Sequence, residues 1–208
     1  MHSNNLPARF AQLLIGLVAF GYSEALLVRA RLGLGPWDVL HQGLAERTDL
    51  AIGTWVIIVG VGVLLLWWPL RQRPGIGTLC NVVLVGVSLN VSLDLMPGTH
   101  SLTLRWVYLI VGTVLNGIAT GAYIGAALGP GPRDGLMVGL AERGHSIRVV
   151  RTLIEVAVLV IGFALGGTVG VGTVIFALSI GPIAHVTIPF FARTPSAERE
   201  EHLRGEVA

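Results

Sequence analysis

Charge is scarce in this sequence. Only 12% of its 208 residues are charged, against about a quarter in soluble domains, so the chain is not soluble in that sense. Lysine is missing altogether, and all 14 basic residues are arginine. Cysteine occurs once, at Cys80 inside an apolar run. No internal disulfide is available, and Cys80 reads as a small apolar filler. Soluble-enzyme signatures are missing too: there is no Walker loop, no HExxH and no GxSxG. The 6 histidines are scattered without ligand spacing, so no metal site is expected. Gly33-x-Gly35 and Gly170-x-Gly172 are not dinucleotide loops, because no strand precedes them. No catalytic residues emerge, and neither an enzyme nor a cofactor is expected.

Apolar residues fill the space instead, at 53% of the chain. Residues 50–70, 74–93, 106–132 and 156–192 carry no formal charge, and 10–28 carries only Glu24. About 20 apolar residues suffice to cross the hydrocarbon core as a helix. Six spans are predicted, at about 10–30, 52–69, 75–95, 105–127, 148–166 and 170–191. The first reads as a retained helix and not as a cleavable signal, being too long and lacking a small-x-small site. Ten arginines against four fall on the side of the N-terminus, which predicts both termini in the cytoplasm of a bacterial inner membrane. Trp67 and Trp68, just before Arg71 and Arg73, read as an interfacial anchor. The net charge of +2 does not point to nucleic acid, since arginine collects at span ends.

The chain also repeats itself. Residues 32–47 read LGLGPWDVLHQGLAER and 128–143 read LGPGPRDGLMVGLAER, with 11 of 16 positions identical at an offset of 96. Arg9, Gly16 and Gly21 fall on Arg105, Gly112 and Gly117 at the same offset. Ile76-Gly77-Thr78 falls on Val171-Gly172-Thr173 at an offset of 95. One membrane domain follows, with a first repeat at about 9–95, a second at about 105–191 and a cytoplasmic tail at 192–208. Three spans per half is an odd number, so with six spans the second half enters from the opposite face; with five, were 156–192 one broken element, it would not. The predicted fold is an all-α membrane protein of two three-helix inverted repeats.

Each repeat carries a GPxD turn. Pro36 and Pro132, after Gly35 and Gly131, sit where a helix tolerates a missing N–H. Asp38 and Asp134 follow in the first turn, where they favour the dipole and can cap free N–H groups. The helices behind them are some ten residues each, about 15 Å and too short to span. They are expected to be interfacial or re-entrant. A broken, Gly-rich entry paired across an inverted repeat points to a transporter's binding site.

Two readings stand for Asp38 and Asp134: helix caps, or cavity acids that bind a cation or relay a proton. Glu155 follows Arg148 and Arg151 on one helix face, as an anchored helix end with an internal ion pair or as an anion-binding or gating cluster. Glu24 lies inside a span, where a lone acid costs about 2.5–3.5 kcal/mol on insertion scales. It matches Thr120 in the second half, so it falls outside the shared design. Asn81, Ser88, Asn90, Asn116 and His185 read as interhelical hydrogen-bonding groups, and Gly117, Gly121 and Gly125 as a close-packing face. Glu46-Arg47 and Glu142-Arg143 are expected to face solvent.

These motifs resemble the YczE/YitT-like family of bacterial integral membrane proteins. The carriers are LGLGPWD at 32–38, IGTW at 52–55, LGPGPRDGLM at 128–137, SIRVVRTLIE at 146–155, LGGTVGVGT at 165–173 and Gly181-Pro182. The resemblance covers about 9–190 and implies a plasma-membrane protein with several spans. It carries over no reaction and no ligand residues. The leading expectation is a small-solute permease or channel-like protein. It uses Gly35, Pro36, Asp38, Gly131, Pro132 and Asp134 around a midplane cavity, with Arg148, Arg151 and Glu155 gating the inner side. The alternative is a non-transporting accessory protein acting through a membrane-protein partner. The partners implied are the lipid bilayer, a small solute or ion, and a membrane protein or further copies of the chain.

Overall fold

The computed structural model describes residues 6–193. The expected tail lies outside the described residues from 194 onward. Among the described residues the chain is all helix, in eight elements. They are α1 (Leu6–Ala30), α2 (Pro36–Glu46), α3 (Ile52–Leu70), α4 (Ile76–Leu95), α5 (Leu102–Gly125), α6 (Pro132–Ala141), α7 (Ile147–Ala164) and α8 (Val171–Phe191). Helices α1, α3, α4, α5 and α8 are long and apolar enough to cross a membrane. Helix α7 is 18 residues and carries Arg148, Arg151 and Glu155, and it is not among those five. The break expected between the last two spans is present at residues 165–170.

Helices α1 and α5 form the centre and run antiparallel. Arg9, at the start of α1, donates from Nε to the carbonyl of Ala126 just past the end of α5, at 2.9 Å. Arg105, at the start of α5, does the same to Ala30 at the end of α1, at 2.7 Å. Each arginine also donates to the next carbonyl, that of Ala127 or Arg31. The last turn of a helix leaves carbonyls without intrahelical donors, and here each central helix caps the other. Helices α4 and α8 pack on α1 and α5 respectively.

In apolar surroundings helices associate by close packing, because burial against lipid gives no hydrophobic gain. Glycine makes the approach possible. A Cβ on Gly121 would lie 2.6 Å from Thr187, and one on Gly125 2.6 Å from the Phe191 carbonyl oxygen. The predicted glycine face of α5 is therefore the seat of α8.

The short helices start as the GPxD turns predict, with glycine at the N-cap and proline in the first turn. The chain reaches them through a left-handed bend in both halves. Arg31 and Ala127 have φ of 51° and 53°, and Gly33 and Gly129 have φ of 112° and 128°. The bends lie against the other half. Gly172 N donates to Leu32 O at 2.7 Å, and Gly77 N donates to Leu128 O at 2.8 Å. Helix α2 then packs on α7 and α3, and α6 on α3 and α7. Arg47 donates to Leu165 O and Arg143 to Pro69 O, again at corresponding positions. As expected, Glu46, Arg47, Glu142 and Arg143 are exposed.

The tryptophan pair corrects one expectation. Trp68 is 86% exposed, but Trp67 is 2% exposed. Its Nε1 donates to Pro132 O at 3.0 Å, and its ring fills the space a side chain at Gly135 would need. Trp67 is thus a packing residue between α3 and α6, and only Trp68 is available as an anchor.

Alanine at Gly33 would force a positive φ and bring Cβ within 2.6 Å of Gly170 N. Gly33→Ala is expected to destabilise the detergent-solubilised protein by about 2 kcal/mol or more. Gly62→Ala, where an added Cβ meets nothing within 4 Å, is expected to be neutral or to stabilise by about 1 kcal/mol or less. Thermal unfolding of the two variants checks this, and equal losses would count against the interlock. Arg105→Ala is expected to cost about 1–3 kcal/mol by the same measurement, because two helix-end carbonyls lose their donor.

Candidate functional site

A cavity of about 550 Å³ lies between the two short helices, and all eight helices contribute to its wall. Both GPxD turns reach it: Gly35, Pro36, Asp38, Gly131, Pro132 and Asp134 all line it. Arg151 and Glu155 line it from α7, whereas Arg148 is exposed and lies outside the lining. Eight of the nine residues singled out from sequence therefore meet at one place. Apolar side chains such as Val56, Val63, Val85, Ile180 and Ile188 complete the wall.

The charges of the wall are arranged by pairs. Arg151 Nε donates to Glu155 Oε1 at 2.9 Å, one turn apart on α7. Arg133 Nη2 lies 3.9 Å from Asp38 Oδ1. Its guanidinium sits over the Trp37 ring, 5.1 Å from the centroid. Stacking on an indole suits a weakly hydrated, planar cation. His41, one turn along α2, brings Nδ1 to 3.4 Å from the same Asp38 oxygen. Tyr123 donates its hydroxyl to Asp134 Oδ2 at 3.0 Å. Asp38 thus has two cationic or potentially cationic neighbours, and Asp134 has a neutral donor.

Glu24 is 1% exposed, and neither carboxyl oxygen has a hydrogen-bond partner; nearby Asp38 Oδ1 and both ring nitrogens of His41 also lack one. It lines the cavity, with its carboxyl beside Asp38. Buried polar groups are satisfied in the large majority of cases, so two orphaned oxygens on one acid are unusual.

Glu24 has Thr120 as its counterpart in the second half and so lies outside the shared design. Both residues line the cavity, so the mismatch lies at the site itself. Trp37 and Arg133 are likewise counterparts that differ, and they touch each other. His41 and Tyr123 also escaped notice. The available signal was the set of unmatched positions inside otherwise matched segments. The hydrogen-bonding reading of the span asparagines holds for two of them. Asn90 Oδ1 accepts from Gly53 N at 2.8 Å, and Asn116 Nδ2 donates to Ser23 Oγ at 3.0 Å. Ser88 Oγ donates to Val18 O at 2.8 Å. Asn81 and His185 line the cavity.

The chain matches known sequences along most of its length. An uncharacterised protein of Haemophilus influenzae is 40% identical over 190 residues, covering 91% of this chain and 87% of its own. The uncharacterised membrane protein YczE of Bacillus subtilis is 36% identical over 189 residues, covering 88% of this chain and 87% of its own. The uncharacterised protein YyaS, also of Bacillus subtilis, is 26% identical over 184 residues. No solved structure matches. With five helices suited to crossing a bilayer and a named membrane protein among its relatives, this is a multi-pass helical membrane protein. Residues 7–189 match the model of the family of unknown function DUF6198, and the chain belongs to that family.

Proposed function

We propose that this protein is a small-solute permease of the bacterial inner membrane, with a binding cavity at the meeting point of its two GPxD helix tips. The observation that carries the reading is the cavity itself: about 550 Å³, walled by both broken helix starts and by a ring of charged and polar groups. Ligand cavities commonly measure about 300–1,000 Å³. The space is partly open and lined by apolar side chains around a few convergent charged and polar groups, the usual make-up of a small-molecule site.

In this reading α7 is the sixth crossing. Its 18 residues extend about 27 Å at 1.5 Å per residue, close to the thickness of the hydrocarbon core. Its three charges do not forbid this, because Arg151 and Glu155 pair with each other and face the cavity. The two halves then form an inverted repeat with both termini in the cytoplasm. The antiparallel α1 and α5, and the matched bonds from Arg9 and Arg105, support that relation. Arg151 and Glu155 are the residues of the inner gate, and Arg148 stays outside the solute's path. The reading calls for no enzyme chemistry and no cofactor.

A second reading is a non-transporting accessory protein held by a membrane-protein partner or by further copies of itself. The bareness of α8 favours it: only Gly172 and Thr173 of that helix are buried. Purification of a single partner in fixed stoichiometry would support this reading, and a solitary monodisperse protein would oppose it.

Flux measurements in proteoliposomes test the permease. An added Cβ at Gly181, which lines the cavity, meets nothing within 4 Å. Gly181→Trp should therefore fill the cavity without unfolding the chain, and solute flux should fall by about tenfold or more, equivalent to about 1.4 kcal/mol. Gly62→Trp, on an exposed outer face with equally open space, should keep wild-type flux. Asp38→Asn with Asp134→Asn should lower flux by a similar factor of about ten. No flux of any solute across a broad panel of ions, amines, sugars and carboxylates would overturn the reading.

A further inference from the structure

The permease reading leaves the class of solute open, and the wall of the cavity addresses it. We propose that the cavity takes an organic cation, an ammonium group on a compact apolar body, and that the Glu24 carboxylate receives its charge. This rests on the permease reading for the meaning of transport, but the binding site stands on its own geometry.

The charges of the wall favour a cation. Four carboxyls line it, Glu24, Asp38, Asp134 and Glu155, against two guanidiniums, Arg133 and Arg151. Both guanidiniums already have an acid: Arg151 is bonded to Glu155, and Arg133 lies beside Asp38. An anionic solute would meet more acids than guanidiniums on this wall. A cationic solute would find Glu24, which has no partner at either oxygen and is 1% exposed. A buried charge is tolerated when it is paired and costly when it is not. An arriving ammonium supplies the missing partner.

The surroundings of Glu24 suit an organic cation better than a metal ion. Among the described residues, no group of three or more His, Cys, Asp or Glu side chains is placed to hold a metal. Aromatic rings stand close instead. Phe20 is one turn before Glu24 on the same face of α1, and it meets Tyr123 edge to face with centroids 5.8 Å apart. Phe176 lines the cavity from α8. Rings beside a carboxylate are the arrangement that recognises alkylated ammonium groups, through the negative faces of the π systems. The valines and isoleucines of the wall fit the apolar body.

Isothermal titration of the full-length protein in detergent tests this, with tetraethylammonium chloride as the probe and sodium acetate as the anionic control. Wild type should bind tetraethylammonium saturably and leave acetate unbound. Glu24→Gln keeps the shape and removes the charge, and it should weaken tetraethylammonium binding by about tenfold or more. Its melting temperature should stay close to that of wild type, because the amide keeps the size and shape of the side chain. Absence of tetraethylammonium binding, binding of acetate in its place, or equal binding by Glu24→Gln would overturn the proposal. If Glu24→Gln does not fold, carbodiimide labelling of wild type followed by peptide mass spectrometry replaces it. Slower labelling of Glu24 in tetraethylammonium supports the proposal, and an unchanged rate overturns it. Glu24-dependent cation binding without any flux would keep this site and remove the permease reading. Flux of a neutral or anionic solute without cation binding would do the reverse.

Discussion

Backbone polar groups freed inside an apolar body must find partners within the protein, and this fold turns on how two breaks meet that demand. After α1 and after α5 the chain leaves the helix, bends through left-handed conformations and starts a short helix. Each bend is closed by the other half. The carbonyls of Leu32 and Leu128 accept from Gly172 and Gly77, and the ends of α1 and α5 are capped by Arg105 and Arg9. Neither half can keep its broken helix alone, because the donors that permit the break belong to its counterpart. The cavity follows from this, since two helix starts held against one another leave the space between them open.

Much of this was legible in the residues, for identifiable reasons. The elements were visible because long apolar runs and Gly-Pro starts each have one physical meaning in a bilayer. The repeat was visible because its block combines glycine, proline and aspartate, each fixed by backbone need. Gly35, Pro36, Asp38 and their counterparts could be placed at a common site for that reason. Trp67 could not be placed. An indole beside arginines has the same sequence signature at an interface as under a neighbouring helix, and only the packing of α6 decides between them. Glu24 was undervalued for a related reason. Comparing the halves rewards sameness, and a residue near the meeting point of two related halves gains its role by being different.

Some of the differences between the halves fall where the halves meet. Trp37 and Arg133 are counterparts in sequence and neighbours in space. Glu24 faces a wall to which its own counterpart, Thr120, also contributes. The outer helices differ as well: α3 packs along α4, while α7 does not pack along α8 in the corresponding way. The shared features hold the scaffold and place Asp38 and Asp134 at the cavity, and the unshared Glu24, Trp37, His41, Tyr123 and Arg133 make its two sides chemically unlike.

The stacked Arg133 has a further consequence. Burial can strip the proton from a lysine, but a guanidinium keeps its proton at any pH the protein survives. Because the chain contains no lysine, the only permanent cations of the cavity wall among the described residues are the guanidiniums of Arg133 and Arg151. The cations form a fixed electrostatic background against which the acids are read.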